Sequence, residues 1–234
     1  HRPEAAAPPS AFVAFLLEQG NAIGELARQR YPDGVRVPCS QDPDEMVAAT
    51  RAALREGAQT VFEAAFRADD ALVVVDVLRR NPDDTFRIVE VKSGTKLKEE
   101  HLHDLAVQWH VARRAGLEVD GVSLLRVNGE CVHPELWNLF RLEDLSARVR
   151  PLLDTLPQHL DRFARALHAP QPPEVPIGRH CRKPDPCPFL DHCWAFTQGR
   201  PVVFDLPRLS ESKLQALQDA GALYLDELSD DFPL

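Results

Sequence analysis

Between Ala71 and Lys96 the chain reads ALVVVDVLRRNPDDTFRIVEVKSGTK, two short apolar runs joined by Asn81-Pro82-Asp83-Asp84. Asn, Pro and Asp together are turn chemistry. Each run is β-branched and almost continuously hydrophobic, which predicts a buried strand. Asp76 interrupts the first run, and Glu90-Val91-Lys92 ends the second. Strand side chains alternate, so Glu90 and Lys92 are expected on the face of Phe86 and Ile88, with Val89 and Val91 opposite. Ions on buried strands cost on the order of several kcal/mol each unless they are paired.

Three charges on adjacent buried strands suggest a site. Asp76 and Glu90 are hard oxygen ligands suited to Mg²⁺ or Mn²⁺, with the Val91 backbone carbonyl as a third ligand. Lys92 suits holding an attacking water or neutralising charge on a phosphate. A metal there activates water and stabilises the entering and leaving oxygens of a phosphodiester. The bland alternative is a buried ion pair with a structural role only.

The chain has 234 residues, 44% hydrophobic and 27% charged, which is ordinary for a soluble globular protein. No apolar run approaches the roughly 20 residues of a membrane span. Ala11 to Leu17 is too short and lacks signal-peptide flanks, so a cytoplasmic location is the expectation. A net charge of −9 argues against tight, non-specific duplex binding by the whole surface. It leaves room for an acidic metal site beside local basic patches. Arg79, Arg80, Arg113, Arg114, Arg182 and Lys183 are candidates for phosphate contacts. The chain starts at His1 and ends in Ser229-Asp230-Asp231-Phe232-Pro233-Leu234, which reads as a fragment of a longer protein.

Ser10 caps an expected helix over 11–30. Its Gly20 and Gly24, four apart, point either to close backbone packing or to a loose helix, since Gly costs about 1 kcal/mol at such positions. Tyr31-Pro32-Asp33-Gly34 is a turn. Asp42-Pro43 opens a second helix, to about Glu56. A strand carrying Glu63 spans 60–66, before the two strands described above. A helix follows over 98–115 and a strand over 121–127, then a helical pattern over 143–169 that Pro151 and Pro157 should kink or split. An extended connector at 170–173 precedes a cysteine segment. Two short helices are expected at 210–220 and 223–228. From Asp44 onward the order is therefore αβββαβ, with hairpins joining the first three strands and a helical crossover to the last. On that crossover helix His101, Asp104 and Gln108 line one face.

Three of five cysteines fall in IGRHCRKPDPCPFLDHCW, as Cys181, Cys187 and Cys193 with C-x5-C-x5-C spacing. A reducing compartment keeps thiols reduced, so these thiols read as metal or cluster ligands. Cys39 and Cys131 are isolated and read as bland small residues. Zn²⁺ held with His180 or His192 is a competing reading, although the spacing is long for zinc.

The Asp, spacer, Glu-x-Lys signature resembles the PD-(D/E)xK nuclease superfamily. Together with three grouped cysteines it is similar to RecB-like nucleases with iron–sulfur clusters, among them CRISPR-associated exonucleases and an uncharacterised bacterial RecB-type family. The resemblance covers about Gly20 to Leu234. It implies an α/β, restriction-endonuclease-like core with a mixed sheet. A helical part would precede the core, and a Cys-rich segment would follow it. It implies segments at 1–40 (N-terminal helical), 41–135 (nuclease core), 136–200 (helical and cluster-binding) and 201–234 (a hairpin-like linker to a second domain beyond residue 234).

The implied activity is metal-dependent DNA hydrolysis, exonuclease-like and acting on single-stranded ends. Asp76, Glu90, Lys92 and Gln108 would be catalytic, and Glu63, His101 and Asp104 possible additions. In such relatives four cysteines hold a [4Fe-4S] cluster. Cys181, Cys187 and Cys193 would be three ligands, with the fourth upstream of this chain and Cys39 a poor substitute. Two departures stand out. Gly24 lies where many relatives carry a metal-binding His, and Ala112 lies where many carry a Tyr four residues after the Gln. The alternatives are a catalytically weak nucleic-acid-binding or scaffold module, or a zinc-stabilised partner domain.

Overall fold

The computed structural model describes residues 3–183, 185–197 and 199–228. The readings for His1-Arg2 and for the tail from Ser229 lie outside those residues. The chain divides into two compact units, Phe12–His168 and, together, His1–Ala11 with Ala169–Leu234.

The larger unit is a mixed α/β structure. Its elements run α1 (Ala11–Arg28), β1 (Val35–Arg36), α2 (Pro43–Arg55), β2 (Thr60–Ala68), β3 (Ala71–Arg80), β4 (Phe86–Lys92), α3 (Glu99–Arg114), β5 (Val119–Val127), β6 (Phe140–Asp144), α4 (Ser146–Val149) and α5 (Leu152–His168). The six strands form one sheet in sequence order. β2–β3, β3–β4 and β5–β6 are antiparallel; β1–β2 and β4–β5 are parallel and joined across α2 and α3. Parallel neighbours need such a crossover, and helices supply both.

Local chemistry sets the boundaries. Asp42 caps α2 by accepting from the Asp44 N–H, and Pro43 takes the first-turn position where a missing N–H is harmless. Asn81 to Asp84 closes the β3–β4 hairpin, with Asp84 in the left-handed region (φ 69°). One sheet face packs on α2, α3 and α5 through Val75, Ile88, Leu105, Trp109 and Leu156. The other face carries a smaller core of Ala27, Phe62, Val77, Val89 and Leu125, to which α1 contributes only its C-terminal end.

The helix expected over 143–169 is overturned at its start. Phe140–Asp144 is an edge strand, paired from Ser123↔Asp144 to Val127↔Phe140. Pro151 then separates α4 from α5, while Pro157 lies inside α5. Gly20 and Gly24 do not serve close packing either. A Cβ at Gly20 would meet nothing within 4 Å, and one at Gly24 only the far end of Arg28.

The smaller unit has little regular structure: α6 (Leu190–Trp194), α7 (Glu211–Asp219) and short 3-10 turns. Val203, Leu209, Leu214 and Leu217 form its core, and Val202 bridges to Tyr224. The helix expected over 223–228 is only a 3-10 turn, Leu225–Glu227. Among the described residues, no helix is long and apolar enough to cross a membrane.

Candidate functional site

The site forms where the β2–β3–β4 ladders lose their regularity. Val61 pairs with Leu78 in the larger core, and Phe62 with Val77 in the smaller one. The next pair, Ala64↔Val75, faces the larger core again. Glu63 and Asp76 fall between these pairs, and the alternation turns over across them. Glu63 has φ 56°, rare for a non-glycine residue inside a strand. Bulges of this kind re-aim side chains beside active sites.

At this end the last β3–β4 ladder pair is Val77↔Val89. The Val91 N–H donates instead to Asp76 Oδ2 at 2.7 Å. A carboxylate thus replaces a backbone carbonyl as the partner of β4, and Asp76 is fixed beside Glu90-Val91.

Glu90 is 7% exposed. Gln108 Nε2 donates to its Oε2 at 2.6 Å, and Lys92 Nζ lies 2.9 Å from its Oε1. Lys92 also donates to Asp104 Oδ2 at 3.0 Å. Asp104 and Gln108, little more than one turn apart on α3, therefore clamp the Glu90–Lys92 pair. His101 does something else. Its Nδ1 accepts from the Lys98 N–H, so the ring belongs to the N-terminal cap of α3. Burial and the nearby Lys92 charge hold its pKa below the usual histidine value.

Asp76, Glu90, Val91 and Glu63 line one cleft of about 510 Å³, together with Arg28 and Arg36. Gly20 and Gly24 of α1 line it too, so the open space above them keeps the carboxylates reachable. Arg28 and Arg36 are the residues that sequence reasoning missed. Arg28 Nη1 donates to Glu63 Oε1 at 2.8 Å, and Arg28 also pairs with Glu25. Arg36 reaches Glu25 Oε1 at 3.3 Å.

The electrostatics single out Asp76. Burial, then the Glu90 charge, push its pKa up to about 7, against the opposing Val91 N–H bond. Lys92 is held above the usual lysine value: burial works against its charge, but Glu90 and Asp104 outweigh burial. A buried Asp76 carboxyl pushed up by its carboxylate neighbour, beside a lysine that stays protonated, makes an arrangement that a divalent cation would relieve. The donor set fits such an ion, being all hard oxygen. Gln108 Oε1 adds a buried acceptor with no hydrogen-bond partner among the described residues, and leaving such an acceptor unpaired costs about 1–3 kcal/mol. Among the described residues, no three His, Cys, Asp or Glu side chains converge as a ligating group. A set of two carboxylates and a carbonyl is smaller than that.

The cysteine segment is separate in kind. Cys181 ends on a 3-10 turn, Arg179–Arg182, and the Cys187 N–H donates to the Cys181 carbonyl at 2.8 Å. The Cys193 N–H donates to Phe189 O within α6. Cys181 and Cys187 are partly buried and Cys193 is exposed. His180 Nε2 lies 3.6 Å from Cys181 Sγ. Cys39 is exposed, and Cys131 sits 3.5 Å from the Glu135 carbonyl. Scanned against protein-family models the chain matches none, and a search of curated proteins finds no match.

Proposed function

We propose that the Phe12–His168 unit is a divalent-metal-dependent nuclease of RecB type that hydrolyses phosphodiester bonds in DNA. The observation that carries this reading is the convergence of Asp76, Glu90 and Lys92 where the β3–β4 ladder ends, with Asp76 raised to about 7 by burial and by Glu90. The order α2–β2–β3–β4–α3–β5 within a mixed sheet supports a restriction-endonuclease-like core.

Asp76, Glu90 and the Val91 carbonyl would hold Mg²⁺ or Mn²⁺, which when bound supplies Lewis acidity and a more acidic water. Glu90 keeps lone pairs free for this while Gln108 and Lys92 fix its plane. Lys92 stays protonated at neutral pH, so it acts as a cation and hydrogen-bond donor, orienting water or a phosphate oxygen. It does not take the proton. Gln108 Oε1, which has no donor among the described residues, is suited to accept from the same water. Asp104 holds Lys92 from the far side and acts through it. Cys181, Cys187 and Cys193 would be ligands to a [4Fe-4S] cluster in the native protein, with Zn²⁺ the alternative.

The test uses end-labelled single- and double-stranded DNA, and RNA of the same sequence, under oxygen-free conditions with Mg²⁺, Mn²⁺ or chelator. The expected result is cleavage of DNA that needs the metal and is lost in Asp76→Asn. Cleavage that persists in chelator or in Asp76→Asn would overturn the reading, as would DNA binding without cleavage by a metal-loaded, folded protein.

A further inference from the structure

The cleft holds two guanidiniums that the hydrolytic set does not use. Arg28 sits near the C-terminal end of α1 with its side chain 15% exposed, and Arg36 is on β1, paired beside Phe62. Both guanidiniums meet carboxylates. Glu63 and Glu25 occupy the fork of Arg28, and the exposed Arg36 makes one contact to Glu25, from Nη1 at 3.3 Å. Arg28 pulls the Glu25 carboxyl below the usual range, although Glu25 is exposed.

Carboxylate and phosphate compete for the same fork, since both accept two parallel N–H bonds from guanidinium. Four carboxylates (Glu25, Glu63, Asp76, Glu90) share this cleft with the two arginines. The cleft therefore repels a phosphodiester until a divalent cation balances Asp76 and Glu90. Glu25 is on the exposed rim of α1 and can swing away. Gly20 and Gly24, on the same helix, leave the approach open for a bulky strand.

We propose that Arg28 and Arg36 form the phosphodiester-binding subsite of the cleft, and that Glu25 is an exchangeable stand-in that holds their forks until a phosphate of a DNA strand displaces it. This subsite rests on the nuclease reading for its substrate class, but binding can be measured without cleavage. Glu63, strained and less exposed, stays with Arg28 and aims it.

The experiment is fluorescence anisotropy of an end-labelled single-stranded DNA in Ca²⁺, with chelator and inorganic-phosphate arms. Arg28→Gln should weaken binding about tenfold or more, the loss of one charge-assisted contact. Arg28→Lys, which keeps the charge and loses the fork, should fall between. Glu25→Gln should tighten binding severalfold, and the gain should shrink in the Arg28→Gln background and vanish when Arg28→Gln and Arg36→Gln are combined. A merely structural Arg28–Glu25 bridge would give a loss in both single variants. Melting curves for each variant check that it folds. Wild-type-like binding by Arg28→Gln, a Glu25→Gln gain that survives when both arginines are replaced by glutamine, or the absence of DNA binding would overturn the subsite. Displacement of DNA by inorganic phosphate at equal concentration would assign the forks to free phosphate instead. Failure of the nuclease reading looks different: binding that ignores Ca²⁺ and is unchanged in Asp76→Asn.

Discussion

Asp76, Glu90 and Lys92 stand on strands whose neighbours are paired on both sides, and each side chain is held by another: Val91 N–H on Asp76, Gln108 on Glu90, Asp104 on Lys92. Cys181, Cys187 and Cys193 stand on a 3-10 turn, a loop and a five-residue helix. Local backbone bonds position their main chains, and little positions their thiols. A strand site inherits its geometry from the ladder and the core, whereas a loop site takes its geometry from whatever it binds. The first should resist loss of its ligand and suffer from loss of a side chain. The second should behave the other way round.

The largest expected effect is on the strand site. Glu90→Ala strips the buried partner from Lys92 and from Gln108 Nε2, and should cost about 3–5 kcal/mol in urea denaturation. Cys193→Ser in metal-free protein should cost within about 1 kcal/mol. Equal losses would break the comparison.

Next is pH. The folded carboxyl of Asp76 titrates near 7, above its unfolded value. Its contribution is fully present below about pH 4 and is lost as pH rises through about 7. Asp76→Asn keeps an acceptor for Val91 and escapes that loss. The variant should gain on wild type between pH 4 and pH 8, by on the order of 2–4 kcal/mol. Saturating Mg²⁺ should stabilise wild type at pH 8 and leave Asp76→Asn unmoved. Parallel stability–pH curves would contradict the burial argument.

Iron analysis sharpens the other side. Protein purified without oxygen should lose bound iron and several degrees of melting temperature in Cys187→Ser, and keep both in Lys92→Ala. Zinc in place of iron would select the alternative ligand set. The smallest effect is at Glu63, where φ 56° suits glycine. Glu63→Gly should be more stable than Glu63→Ala by about 1 kcal/mol, read from the same denaturation curves.

The strands that carry the site were legible because Val73 to Leu78 and Phe86 to Val91 are long enough to show their pattern. β1 and β6 were not. Two residues at Val35–Arg36 have no period, and Phe140–Asp144 is a half-exposed edge whose last two residues run into the helical pattern that starts with Leu145. Gln108 and Asp104 were legible from helical spacing. His101 shared that spacing, but an N-terminal cap claimed its ring. The turnover of faces at Glu63 and Asp76 has no signature in residue type, since any residue can be forced to a positive φ by tertiary contacts. Arg28 and Arg36 join the cleft through a parallel pairing, β1 with β2, and a packed helix end. Neither leaves a periodic trace.

One comparison tests the nuclease reading most directly: single-turnover cleavage of end-labelled DNA in Mg²⁺ by wild type and Lys92→Ala, with metal and DNA binding measured on the same samples. The account predicts that Lys92→Ala binds both ligands and cleaves on the order of a thousandfold more slowly. Cleavage by Lys92→Ala at the wild-type rate would contradict it.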